Sequence, residues 1–201
     1  HLHRDGGWFV EDLELAQLRT LRAVERLPDL RSTAYDGHDP VPTLDDVLGL
    51  RARLSAELGR VVGVYLELKD PARFARLGLP LGPPLLASLE AAGLNTPDAP
   101  VIVESFERLR ELRGDLRVPI GQLVEPGAEV PVAVIAEYAH AVGAHKDLVI
   151  PRDGAGRLTT PTPLVAEAVM ALAGRALAKF GDAPDGLLQL VQGDRKVGEM
   201  L

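Results

Sequence analysis

Glu67 and Lys69 stand near the end of the apolar run Val61-Val62-Gly63-Val64-Tyr65-Leu66-Glu67-Leu68-Lys69-Asp70-Pro71. Its Val and Leu content, and a closing Pro that cannot donate to a sheet, read as a buried β-strand. Alternation along a strand puts Val62, Val64, Leu66 and Leu68 on one face and Gly63, Tyr65, Glu67 and Lys69 on the other. A carboxylate and an ammonium on an otherwise apolar strand are costly to bury unless paired or ligated. In parallel α/β proteins the C-terminal strand ends are where sites form. Two readings suit the pair: a surface ion pair, or a metal-binding carboxylate beside a phosphate-binding lysine. The second has a clear chemistry. A hard divalent cation takes carboxylate oxygens, polarises phosphoryl oxygens and lowers the pKa of a bound hydroxyl. A lysine adds a point charge to a spread phosphate anion.

The elements around this strand follow from periodicity and punctuation. Residues 1–8 read as a polar, Gly-containing loop. Leu15, Leu18, Leu21 and Val24 predict a helix from about Glu11 to Arg26, with acids at its positive N-terminal end and Pro28 as its stop. Residues 28–42 read as a loop. Thr43-Leu-Asp-Asp46 resembles a capping box and opens a helix to about Leu58, with Val47, Leu50, Leu54 and Leu58 on one stripe and Gly59 closing it. After the Glu67 strand come a Pro- and Gly-bearing connection over 70–83 and a helix from Pro84 to Ala92. A strand over 100–105, a helix from Phe106 to Arg113 and a strand from Val118 to Val124 follow. The pattern then predicts a helix from Val132 to Val142, a strand from Lys146 to Ile150, a polar loop from Pro151 to Thr160, a helix from Pro163 to Lys179 and a last strand from Gly186 to Val191. Alternating helices and short apolar strands argue for parallel βαβ units, either in an open doubly wound sheet or in part of a (β/α)8 barrel.

Composition bounds the function. At 201 residues one domain is the default. A net charge of −7 does not suggest a nucleic-acid footprint, and a phosphate ester would need a cation or local Lys or Arg to offset repulsion. The absence of cysteine excludes disulfides, thiolate metal sites and a Cys nucleophile. No run approaches the ~20 apolar residues needed to span a bilayer, and no signal peptide is visible. No GxGxxG follows a strand and no P-loop is present.

Several segments in order resemble the glycerophosphodiester phosphodiesterase family. Gly7-Trp8-Phe9-Val10-Glu11-Asp12-Leu13 is similar to the stretch before that family's first long helix. Pro42-Thr43-Leu44-Asp45-Asp46-Val47-Leu48 is similar to its "PTLEEVL" helix start, and Leu66-Glu67-Leu68-Lys69 to its "E-x-K" strand end. Val101-Ile-Val-Glu-Ser105-Phe106, Val118-Pro119-Ile-Gly-Gln122-Leu123 and Tyr138-Ala139-His140-Ala141-Val142-Gly143 fit the segments that follow. The resemblance covers roughly residues 7–166. It implies a TIM-type (β/α) barrel, present as an incomplete copy, and hydrolysis of glycerophosphodiesters to glycerol 3-phosphate and an alcohol. It implies a divalent metal, calcium or magnesium, held by carboxylates, with two histidines as general acid and base. Glu67 matches the metal-ligand glutamate and Lys69 the lysine that contacts phosphate. The family branch with this Gly-Trp-Phe segment is often exported, which leans the compartment outside the cytoplasm.

The family's HRG, E-x-D and HD motifs should precede Gly7, where this chain has six residues. The expectation is therefore one domain over 1–201, truncated at its N-terminus and divergent after about Glu167. With one of three metal carboxylates and no assigned catalytic histidine, the chain alone is expected to be weakly active or inactive. His3-Arg4-Asp5-Gly6 and His38-Asp39 imitate two missing motifs but read as solvated loop. His1 and His3 have HxH metal-pair spacing with no strand before them. His140 and His145 read as satisfied surface histidines, Asp12, Glu14, Asp45 and Asp46 as helix N-terminal acids, and Arg108, Arg110, Arg113 and Arg117 as a solvated face. Tyr65 and Ser105 either line the site or pack in the core. Open barrel edges would favour self-association. A non-catalytic barrel-derived binding or scaffold module is the alternative from another class. A different α/β hydrolase using the N-terminal histidines is the third reading.

Overall fold

The computed structural model describes residues 8–171 and divides after Val62 into two units. In the first unit a 3-10 turn, Val10–Asp12, precedes the short helix α1, Leu15–Leu18, closed at its start by a Glu14–Gln17 capping box. The long helix expected over 11–26 does not form. Leu15, Leu21 and Val24 remain exposed, so no buried face offsets the ordering of a long helix. Instead the chain turns extended at Arg22, which bridges Pro40 in antiparallel fashion, and the Ala23 N–H donates to the Asp39 carbonyl at 2.8 Å.

Helix α2, Leu44–Glu57, starts where the capping residues place it. Thr43 Oγ1 accepts from the Asp46 N–H, and Asp46 Oδ2 accepts from the Thr43 N–H at 2.9 Å. Gly59, with φ +61°, lets the chain leave the helix. The buried stripe is rotated from the expected one: Leu48 is buried while Leu50 and Leu58 are exposed. Arg51 and Ser55 lie on the covered side and grip the backbone of Val62, Arg51 Nε donating to its carbonyl and Ser55 Oγ accepting from its N–H.

The second unit is an all-parallel sheet in the order β1-β2-β3-β4, comprising β1 Val64–Glu67, β2 Val101–Ser105, β3 Ile120–Val124 and β4 Ala141–Ala144. Between β1 and β2 lie α3, Pro71–Arg76, and α4, Gly82–Ala91. A 3-10 turn, Arg110–Leu112, replaces the helix expected over 106–113. Helix α5, Val132–Ala136, joins β3 to β4, and α6, Lys146–Val149, and a helix over 164–171 follow β4. The strand expected over 186–191 lies outside the described residues.

One face of the sheet carries the core. Val101, Val103, Ser105, Ile120, Gln122 and Val124 are buried there, and Leu85 and Leu89 of α4 and Ile135 of α5 are buried as well. Apart from Ser105 and Gln122 this face is apolar, as a covered parallel sheet requires. The order of the last elements differs from expectation: β4 occupies 141–144 and 146–149 is helical. Gly143 supplies the reason. A Cβ at Gly143 would lie 2.5 Å from Leu123 Cδ2, so its missing side chain lets β4 slide in beside β3. Low strand propensity hid that strand from the sequence.

Candidate functional site

The register of the parallel strands builds the site. Tyr65 and Glu67 lie on the face of β1 opposite the covered one, and Val64 and Leu66 alternate with them toward the covered side. Tyr65 is exposed on the Glu67 face, so it is not a core residue. Glu67 pairs in register with Glu104, and Glu104 with Gly121. Because neighbouring strands lie about 4.8 Å apart, two carboxylates stand side by side on one face near the C-terminal end of the sheet. Gly121 makes room for the second: a Cβ there would meet Glu104 Cβ at 3.3 Å.

Lys69 Nζ donates to Glu67 Oε1 at 2.9 Å. The Glu67 side chain keeps 27% of its surface and the Lys69 side chain 74%, so the pair is largely a solvated ion pair contributing little to stability. Lys69 is therefore free to exchange that partner for another anion. Both side chains border a cleft of about 170 Å³ whose other walls include Asp70, Ser105, Phe106 and Glu107.

Beneath the cleft lies a buried polar network. Ser105 Oγ donates to the Leu68 carbonyl at 2.7 Å and accepts from the Glu107 N–H at 3.1 Å. The two hydrogens of Gln122 Nε2 are shared among the carbonyls of Phe106 and Leu123 at 2.9 Å and Ser105 at 3.2 Å, and Gln122 Oε1 accepts from the Tyr138 hydroxyl at 2.6 Å. Burial pushes the Tyr138 pKa up, and the nearby Arg108 and Arg110 charges oppose that shift. The network ties the ends of the first three strands together.

The remaining candidates lie elsewhere. His140 sits at the start of β4, at the opposite end of the sheet from Glu67, where its Nδ1 accepts from the Ile120 N–H. His145 sits just past the end of β4, which is the opposite sheet edge from β1, and its Nδ1 accepts from the Asp147 N–H. His38 is exposed in the first unit, against Tyr35. His1 and His3 lie outside the described residues. Arg108, Arg110, Arg113 and Arg117 are all exposed, as a solvated face should be.

Glu104, Gln122 and Tyr138 are site-building residues that the sequence did not single out. Strand alternation alone places Glu104 and Ser105 on opposite faces, but only the pairing register sets Glu104 beside Glu67. Among the described residues no three His, Cys, Asp or Glu side chains converge on one point. The two carboxylates fit a hard cation in kind but supply only part of the six to eight oxygens that calcium takes. No family model matches the chain, and no curated protein matches it.

Proposed function

We propose that this chain binds a glycerophosphodiester through a divalent cation, calcium or magnesium, and contributes to its hydrolysis to glycerol 3-phosphate and an alcohol. One observation carries the reading: the Lys69 ammonium, just past the end of β1, lies 2.9 Å from the Glu67 carboxylate, with Glu104 next to Glu67 in register. Glu67 and Glu104 would hold the cation, which supplies Lewis-acid polarisation of the phosphoryl group when bound. Lys69 exchanges its carboxylate partner for a phosphate oxygen and neutralises charge that develops there. The segment resemblance described above supplies the substrate class.

The strand order supports a TIM-type barrel as the parent architecture. Four parallel strands run in sequential order with no reversal, whereas a doubly wound sheet reverses order at its switch point. Among the described residues the outer edges of β1 and β4 pair with no further strand, which offers a route to self-association. A binding module that holds the phosphate without cleaving it is the second reading. The positions of His140 and His145, at the far end and the far edge of the sheet, favour it.

Calorimetry with calcium and glycerol 3-phosphate tests the site, and release of glycerol 3-phosphate from glycerophosphocholine separates the two readings. Calcium-dependent binding that is lost in Glu67→Gln and Lys69→Ala is the expected result. Unchanged binding in both variants, or none in the unaltered chain, would sink the proposal. Calcium-dependent turnover lost in Glu67→Ala would set aside the binding-only reading.

A further inference from the structure

The geometry points to Ser105 as a positioning residue that, with Glu107, sets the direction of the Glu67–Lys69 pair. The inference rests on the reading of that pair as a phosphate and cation site.

Leu68 is the peptide between the two functional side chains, and β2 holds it from both sides. Its N–H donates to the Glu104 carbonyl at 2.9 Å, and its carbonyl accepts from Ser105 Oγ at 2.7 Å. Past the end of β1 the chain turns through Asp70, whose φ of +49° is a left-handed conformation that a non-glycine residue adopts at a cost. Pro71 then begins α3. The Asp70 side chain does not cap that helix. The Glu107 carboxylate does so instead, Oε2 accepting from the Ala72 N–H at 3.0 Å. Glu107 is itself tied back to Ser105, because its N–H donates to Ser105 Oγ.

A single buried hydroxyl therefore joins two struts. One reaches Leu68 just before Lys69, and the other leads through Glu107 to Ala72 just after Asp70. Ser105 is 1% exposed, so removing its hydroxyl takes away a buried partner of both the Leu68 carbonyl and the Glu107 N–H. Lys69 is a long, solvated side chain two residues past the end of β1, and its own ion pair is too weak to orient it. What fixes its Cα–Cβ direction is the backbone on either side, and Ser105 and Glu107 hold that backbone. A site needs its groups within about 0.5 Å of the productive position, which a loose edge-strand end does not provide by itself.

The test uses the full chain and the variants Ser105→Ala, Ser105→Thr and Glu107→Ala, with Glu67→Gln as the control for the site. Two quantities are measured: calorimetric affinity for glycerol 3-phosphate in calcium, and amide hydrogen exchange. Loss of the hydroxyl in Ser105→Ala should speed exchange at Leu68 and Ala72 about tenfold more than in the slowest amides of β3, and weaken glycerol 3-phosphate binding about tenfold. Ser105→Thr, which keeps the hydroxyl, should recover both. Glu107→Ala should speed exchange at Ala72 but not at Leu68 and should also weaken glycerol 3-phosphate binding, so it tests the second strut by itself if Ser105→Ala fails to fold. The inference is overturned if exchange at 68–72 stays as in the unaltered chain, or rises equally across the sheet. It is also overturned if affinity survives while the segment loosens. If the unaltered chain does not bind glycerol 3-phosphate, the functional reading of the pair fails and Ser105 has nothing to position. Local exchange then shows whether the two struts exist as a structural feature.

Discussion

Replacing Gln122 with Leu removes the centre of the buried network while keeping its approximate volume. Gln122 is 7% exposed; its two amide hydrogens are shared among the carbonyls of Ser105, Phe106 and Leu123, and its oxygen accepts from the Tyr138 hydroxyl. Tyr138 is 3% exposed, so its hydroxyl would be left without a partner or water. A typical bond contributes about 1 kcal/mol net, and an orphaned buried group costs about 1–3 kcal/mol. Gln122→Leu should therefore destabilise the sheet unit by about 3–4 kcal/mol. Tyr138→Phe breaks one bond and orphans Gln122 Oε1, for a loss of about 1–2 kcal/mol. The double variant removes both ends of the 2.6 Å bond. It should be more stable than the sum of the singles by about 1–2 kcal/mol. The assay is the urea dependence of exchange in the slowest amides of β2 and β3, which reports this unit rather than the other. Additivity within about 0.5 kcal/mol would refute the claim that the two residues act as one buried network. A pH dependence accompanies it. Burial raises the Tyr138 pKa above its ordinary value of 10.0, so the folded chain keeps its proton where the unfolded chain has lost it. This contribution is present in full below pH 10.0 and is lost as pH rises through the folded value. Tyr138→Phe should abolish that alkaline component.

Three further outcomes follow from local geometry. Thr43→Ala should cost α2 about 1 kcal/mol, read from exchange of its first-turn amides. The Thr43 N–H, and then its hydroxyl, hold Asp46 below the usual carboxylate range, so the Asp46 contribution is present above the unfolded pKa and fades as pH falls through the folded value. An acid transition of α2 that Asp46→Asn leaves unchanged would contradict this. Gly121→Ala should destabilise by about 1 kcal/mol and Gly121→Val by about 3 kcal/mol, because any Cβ there presses on Glu104; equal urea midpoints for all three would deny the close approach. Asp70→Gly should be tolerated or slightly stabilising, whereas Asp70→Ala should lower stability by about 1 kcal/mol, since only glycine takes a positive φ without penalty. An alanine variant that melts above the glycine variant would show that this turn is not left-handed.

Much of this was legible in the chain because it depends on near neighbours. The start of α2 follows from Thr43 and Asp46 three residues apart, and the two faces of β1 follow from strict alternation along the strand. The helix expected over 11–26 failed for the opposite reason: an apolar stripe forms a stable helix only if something covers it, and the sequence does not show whether a cover exists. The strand Ala141–Ala144 was hidden because its stability comes from fitting beside Leu123, not from its own small residues. The same division separates the two halves of the candidate site. Alternation predicts a common face for Glu67 and Lys69; β1 ends at Glu67, and Lys69, just beyond it, reaches back to the carboxylate at 2.9 Å. Glu104 lies beside Glu67, and Ser105, Gln122 and Tyr138 lie beneath them, only because four strands pair in one parallel register. Register depends on contacts between segments far apart in the chain, so only the tertiary structure could decide it.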